Sequence, residues 1–435
     1  MSRTSAPALV PLKPVEERFL RTLPGAPQVL ATAVVVVDAT LLRNAAGDLD
    51  RAALLGHLRE WWSSDPRMAL RLVPSPTGLV PPAWAPSSAD PLRAVTVRPQ
   101  PFRLADLDDV VAQLQLQPVD LSVAPLHVTV LDDPAGPLAL VVRGHHAWTD
   151  GAFGRTVVER LLSTEPGPLR SPAPSGAAPA DPGALLMAWA APLLLLQQWW
   201  SQQPGARAAV RAWAQRPLSG RVRRVLGRHR WALERRRRRA APPDPRAVRR
   251  LELEIGAVRR HARLLGGNIN DLLVVATARA VDQHLPAVPA PVQRVLVPLA
   301  GPAAGAGRSN QVRVVPVTVD RDRADAECVR SVAGQLRAAP PASAPQRPAP
   351  PAHATTMVGP RHLLHLGPAP VLQYALLPSL GEEEDLGVLA LVQRRSVVVS
   401  VATRRPEAVD AVTDRLRAVL TGAGATGAGA AGAEA

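Results

Sequence analysis

The stretch LALVVRGHHAWTDGAFGRTVVERLL, residues 138 to 162, puts two adjacent histidines, His145 and His146, at the end of an apolar run and an Asp150–Gly151 pair shortly after it. A neutral imidazole titrates near pH ~6.5, so it can take a proton from a hydroxyl or thiol around neutrality. Side chains alternate along a strand, so two consecutive histidines at its end point in opposite directions. One can face a cleft while the other meets supporting structure. Asp150, at the start of the next helical pattern, can cap backbone N–H groups or pair with a buried arginine, fixing the turn that presents the histidines. Gly151 permits a tight turn and close approach of backbone or ligand. Adjacent spacing suits two ligands on one metal ion poorly, and no Cys or Glu cluster accompanies the pair. Neither a G-x-S-x-G elbow nor a P-loop appears.

The elements around this stretch alternate strands and helices. QVLATAVVVVDATLL (28–42) reads as a buried strand and LDRAALLGHLREWW (49–62) as a helix. APLHVTVLD (124–132) and LALVVRG (138–144) form a strand pair across the turn-like DPAGP, and AFGRTVVERLL closes the segment as a helix with one apolar face. A Pro/Ala/Gly linker (171–183) follows. The apolar stretch 184–200 is interrupted by Pro192 and too short to span a bilayer, which leaves a core helix or an interfacial one. From 250 the alternation resumes: a strand, a helix, a Gly-Gly-Asn break and a second helix, then strands at 294–300 and 311–319. Two further strands lie in LGVLALVQRRSVVVSVATR, a helix in PEAVDAVTDRLRAVL, and a disordered tail follows. The expected division is 1–168, a connecting region 169–245, 246–421, and the tail 422–435.

At 435 residues and 47% hydrophobic content the chain can bury the cores of two subdomains. The single cysteine, Cys328, excludes an internal disulfide, fits a reducing compartment and reads as a buried small hydrophobe. The net charge of +15 rests on arginine, since Lys13 is the only lysine. A bias spread along the whole chain does not select a partner. The charge does concentrate at Arg235–Arg239, a solvated face or a contact for an anionic membrane or phosphorylated ligand; no nucleic-acid-binding signature accompanies it.

HHAWTDG matches the HHxxxDG motif of the CoA-dependent acyltransferase superfamily, which includes chloramphenicol acetyltransferase and peptide-synthetase condensation domains. The rest of the chain resembles its bacterial wax ester synthase/acyl-CoA:diacylglycerol acyltransferase branch. The similar segments are LKPVEERFL, DPRMALRLVPSPTGLVPPAW, QPVDLSVAPLHVTVLD, GGNINDLLVVATARAV and RSNQVRVVPVTV. His127 stands where that family has a tryptophan, Ser309 where it has a glycine, and TTMVGP where it has Asn-Val-Pro-Gly-Pro. The resemblance implies an α/β fold of two chloramphenicol-acetyltransferase-like subdomains, with mixed sheets enclosing a central channel. It implies acyl transfer from acyl-CoA, as co-substrate and without a further cofactor or metal, to a long-chain alcohol or diacylglycerol. His146 would be the general base, His145 its support and Asp150 structural. Trp148, Gly151, His127, Asn270 and Asp271 would lie along the substrate channel. The transfer implied is direct, with no covalent acyl-enzyme, in a cytoplasmic protein in peripheral contact with the inner membrane or lipid droplets. A condensation-type acyltransferase using a carrier-protein thioester and a small-molecule acceptor, and a lipid-binding member without turnover, are the two alternatives.

Overall fold

The computed structural model describes residues 10–12, 14–20, 27–73, 82–98, 102–134, 136–171, 245–285, 292–300, 312–339, 352–381 and 384–423. The apolar stretch 184–200, the arginine run 235–239 and the tail from 424 lie outside them. In the first half, β1 (Val10–Pro11) and α1 (Pro14–Leu20) precede β2 (Leu30–Val37), α2 (Arg51–Ser63), β3 (Leu70–Val73), β4 (Ala83–Pro86) and β5 (Val95–Val97). Then come α3 (Leu107–Leu116), β6 (Leu126–Asp132), β7 (Leu138–His145) and α4 (Gly151–Glu159). The second half runs β8 (Ala247–Glu254), α5 (Ile255–Leu264), α6 (Ile269–His284), β9 (Val292–Ala300), β10 (Val312–Asp320), α7 (Asp325–Ala338) and β11 (Ala352–Val358). It ends with β12 (His365–Leu366), β13 (Ala369–Leu377), β14 (Leu386–Val392), β15 (Ser396–Thr403) and α8 (Val409–Thr421).

Runs of β-branched and apolar residues make the central strands, and β7 is buried at every position, as a strand covered on both faces must be. Strand β2 is shorter than the apolar run 28–42 suggested. It stops at Val37 because the Asp38 carboxylate accepts from the Thr40 N–H at 3.0 Å and turns the chain into a short 3-10 turn over 39–42. Cys328 is buried on α7, as its helical setting indicated.

Two mixed six-stranded sheets organise the described residues, in the orders β12-β13-β2-β7-β6-β5 and β10-β9-β11-β14-β15-β8. Residues 365–377, which belong to the second half in chain order, therefore hydrogen-bond into the first sheet. β13 runs antiparallel to β2 with Val371 opposite Val37 and Leu377 opposite Thr32. One face of the first sheet packs with α2 and α4 around Trp61, Leu140 and Val157. The second sheet packs on α5, α6, α7 and α8, and α6 is buried without a break from Asp271 to Val281. The other face of the first sheet meets α3, and Val248, Leu377, Leu380 and Ala402 join this core from beyond residue 245. Polar contacts reinforce the seam: Arg250 pairs with Asp108 on α3 and donates to Gln373 Oε1 on β13 at 2.6 Å. Arg249 pairs with Asp109 at 2.8 Å. Among the described residues no helix is long and apolar enough to cross a membrane.

Breaking a fully buried ion pair costs about 3–5 kcal/mol. Arg250 and Asp108 are 7% and 19% exposed, so some of that cost is relieved by solvent. Arg250→Ala is expected to lower unfolding free energy by about 2 kcal/mol. Urea titration should show the midpoint falling with the slope unchanged; an unaltered midpoint would mean that the seam does not depend on this pair.

Candidate active site

Strand register builds the site. β13, β2 and β7 are neighbours, with Leu377 opposite Thr32 and Leu30 opposite His145. Two residues beyond Leu377, Ser379 therefore reaches the level of Leu30 on one side, while His146 follows His145 on the other. The contacts bear this out: the Ser379 hydroxyl donates to the Leu30 carbonyl at 2.8 Å, and the His146 N–H donates to the Val29 carbonyl at 3.0 Å. Strands lie ~4.8 Å apart, so β13 and β7 are separated by about two such spacings, which a serine and a histidine leaning together can close. Ser379 Oγ lies 2.8 Å from His146 Nε2. Phe19 of α1 stacks on the imidazole at 5.2 Å between ring centroids.

The two histidines divide their work as strand alternation requires. His145 is 1% exposed, and its Nδ1 accepts the Ala147 N–H at 3.0 Å, so it shapes the turn that follows β7. His146 is half-buried and turns toward Ser379. Asp150 takes the capping role: as N-cap of α4 it accepts the Phe153 N–H at 2.7 Å. At Gly151, a Cβ would lie 3.2 Å from Met357 Sδ, so the glycine lets α4 close on β11.

Burial governs the protonation states. It lowers His146 to about 4; His353 pushes the same way, while Asp150, Glu384 and a backbone hydrogen bond at Thr149 oppose it. Burial, and then His146, bring His145 to about 3. Both imidazoles are uncharged at neutral pH, which a general base requires.

A buried ion pair stands behind Ser379. His353 on β11 meets Glu384 with Nδ1 3.0 Å from Oε2. Burial opposes a charge on His353, but the Glu384 carboxylate outweighs it and raises the pKa. Glu384 is lowered in turn: burial works against its charge, and His353 and the Gly381 N–H more than compensate. Glu384 Oε2 accepts that N–H at 2.8 Å, and Arg404 donates to the Gly381 carbonyl at 2.5 Å. The His353 ring and Pro378 both pack so closely on Gly387 that a Cβ there would meet His353 Cε1 at 2.7 Å and Pro378 Cβ at 2.9 Å. Segment 378–381, which carries Ser379, is thus held from three sides.

The model of the wax ester synthase/diacylglycerol acyltransferase catalytic domain matches residues 30–273, more than half of the chain and including all of HHAWTDG. The chain belongs to that family. No curated protein matches it in whole-sequence comparison. Among solved structures it is similar to the wax ester synthase/diacylglycerol acyltransferase of Marinobacter aquaeolei VT8, at TM-score 0.58 and 14% identity over 95% of this chain and 100% of that one. It is also similar to the first condensation domain of the calcium-dependent antibiotic synthetase, at TM-score 0.60 and 14% identity over 95% and 96%. Polyketide synthase associated protein 5 from Mycobacterium tuberculosis is similar at TM-score 0.54 and 17% identity over 96% and 100%. At these identities the likeness is one of fold: the two-subdomain, chloramphenicol-acetyltransferase-like architecture.

The other residues of the family pattern have distinct places here. Trp148 is buried in the first core, donating from Nε1 to the Arg67 carbonyl at 3.0 Å and meeting Phe153 edge-on. His127 sits opposite Arg143 across β6 and β7, with Nε2 3.3 Å from Thr96 Oγ1; burial, then Arg143, lower it to about 4. Arg143 itself is 2% exposed and holds the C-terminal end of α3, donating to the carbonyls of Leu114 at 2.5 Å and Gln117 at 2.7 Å. Asp271 completes a capping box with Asn268 at the start of α6. Asn270 lines a cavity of about 280 Å³ with Arg259, Arg263, Asn268 and Thr356. Alternation along β11 puts Thr356 on the opposite face from His353 and Met357. Among the described residues no group of three or more His, Cys, Asp or Glu side chains could hold a metal ion.

Ser379, Phe19, His353, Glu384 and Arg143 were not singled out from sequence. Only Arg143, a charge inside an apolar strand, carried a local signal; the others become neighbours of the motif through the sheet and the packing of the two halves.

Two outcomes follow. Because the folded His146 titrates about 4, kcat/KM for acyl transfer should stay level from about pH 8 to about 5.5 and fall only below that, rather than near ~6.5. The lowered pKa values of His145 and His146 also mean that the unfolded chain binds more protons below ~6.5, so stability declines on acidification. Rates are therefore taken after brief exposure, with recovery at pH 7 checked; an acid limb near ~6.5 in recoverable enzyme would contradict the burial argument. Separately, Asp150→Ala should cost about 1 kcal/mol in thermal unfolding, whereas Asp150→Asn, which keeps a capping oxygen, should cost much less.

Proposed function

We propose that the chain transfers a fatty acyl group from acyl-CoA to the hydroxyl of a long-chain alcohol or diacylglycerol, with His146 as general base. The reading is supported by one observation above all: an uncharged imidazole at the seam of the two subdomains has its Nε2 within 2.8 Å of a hydroxyl oxygen. An acceptor alcohol entering there would surrender its proton to Nε2 as its oxygen attacks the thioester carbonyl. The C–S bond then breaks, and the departing thiolate takes the proton back. His145, Asp150 and Arg143 hold the turn and strand that present the base. In this proposal both substrates carry long apolar chains and are met at a lipid surface, with Arg235–Arg239 contacting anionic headgroups.

The test is thiol release from palmitoyl-CoA by the purified full-length chain, with and without hexadecanol or diacylglycerol. Release should depend on acceptor and drop about 10²–10⁴-fold in His146→Ala. Release from an acyl-carrier protein but not from acyl-CoA would reassign the donor. Binding of acyl-CoA without release by either protein would sink the enzymatic reading.

A further inference from the structure

We propose that Ser379 is a positioning residue: in the free chain its hydroxyl holds the acceptor's place on His146 Nε2, so that the base answers to an acceptor and is withheld from water. The inference rests on the acyltransferase reading, in which the acceptor hydroxyl gives its proton directly to that nitrogen.

One strand end sets the position of both partners. Consecutive carbonyls along a strand point to opposite neighbours. Val29 accepts the His146 N–H at 3.0 Å on the β7 side, and Leu30 accepts the Ser379 hydroxyl at 2.8 Å on the β13 side. Ser379 Oγ thereby comes within 2.8 Å of Nε2, while Phe19 stacks on the ring. Segment 378–381, braced by Glu384, Arg404 and His353, carries the serine, and Leu380 beside it is buried.

The contact occupies Nε2 in either tautomer of the neutral imidazole. A bare Nε2 accepts the serine hydrogen. An Nε2 that carries the ring hydrogen donates to Oγ, and the serine hydrogen goes to Leu30. To be activated, a water molecule must break this contact against a hydroxyl that belongs to the chain and is already in place. An acceptor offsets the same cost by burying its long apolar chain. The serine keeps a partner as it gives way, because its hydrogen turns to the Leu30 carbonyl.

Withholding water matters because its reaction differs from the alcohol's only in the nucleophile. The water oxygen bonds to the thioester carbonyl carbon as Nε2 takes its proton; the C–S bond breaks, and the thiolate leaves with that proton. The product is the free acid in place of the ester.

Full-length protein is given palmitoyl-CoA and hexadecanol, and palmitic acid and hexadecyl palmitate are measured separately. Ser379→Ala should raise the ratio of acid to ester about 5-fold, the effect of one lost hydrogen bond of ordinary strength. Ser379→Thr, which keeps a hydroxyl on Cβ, should restore the ratio. Ser379→Val, with threonine's shape but no hydroxyl, should behave as Ser379→Ala, a distinction that a space-filling role would not produce. Diethyl pyrocarbonate, which needs no thioester, modifies a bare imidazole nitrogen. Peptide mapping should show His146 modified about 5-fold faster in Ser379→Ala and Ser379→Val than in the unaltered chain or Ser379→Thr. Equal ratios and equal modification rates in all four proteins would overturn the proposal, as would acid and ester falling together at a constant ratio. Both of those outcomes leave the acyltransferase reading standing. No thioester turnover by the unaltered chain, with protection of His146 that still follows the hydroxyl, would uphold the occupied seat and remove that reading. Neither turnover nor a hydroxyl-dependent modification rate would remove both.

Discussion

The pairing of β13 with β2 is the constraint on which the site depends. It carries a strand from beyond residue 360 into the first sheet, and its register fixes which residue stands across Leu30 from the end of β7. Strand side chains repeat every two residues, so a slip of one would turn Ser379 to the other face. The contact between His146 and Ser379 spans 233 positions of sequence. It cannot form from either half alone, and pairings of such separation are among the slower ones to be made in folding. The third core, shared between α3, the first sheet and residues of the second half, has the same origin and protects the same register.

Electrostatics at the seam show how one environment yields opposite outcomes. His146 is half-buried and His353 buried, yet burial lowers the first, while Glu384 raises the second. The difference is a carboxylate at 3.0 Å, since an opposite charge in a poorly solvated site is worth more than the solvation it replaces when the geometry is good. A neutral base beside a charged structural pair is a coherent division: the pair holds segment 378–381, and the base stays uncharged. Around the motif, charge is consumed locally. Arg143 satisfies the carbonyls that end α3, and Asp150 satisfies the N–H groups that begin α4. Both fix the approach to His146 from opposite sides of the turn.

Membership in the wax ester synthase/diacylglycerol acyltransferase family gives the fold and the motif a common frame, while the same architecture is found in condensation domains. A fold shared by different chemistries leaves function to the site. Here the site contributes a neutral imidazole, an aromatic ring against it and a serine hydroxyl in contact with it, all of which bear on how an acyl group is handled.

The sequence by itself determined the local facts. HHAWTDG, the apolar strand before it and the helix after it follow from residues close in the chain, where hydrophobic period, a capping carboxylate and a glycine suffice. So did most strands of the second half, because continuous Val and Leu runs such as SVVVSVAT admit little else. Sequence proximity to the family's Asn-Asp pair said less: Asp271 is spent on a capping box, a use equally compatible with its spacing from Asn268. What only tertiary structure decided is which distant residues meet the base. VLQYALL alternates too weakly to announce a strand, and nothing in LLPSLGEEE marks its serine. Ser379 acquires its place from hydrogen-bond register between β13 and β2, and His353 and Glu384 acquire theirs from the return of the chain to the second sheet. Such register belongs to pairs of strands, and no single segment encodes it.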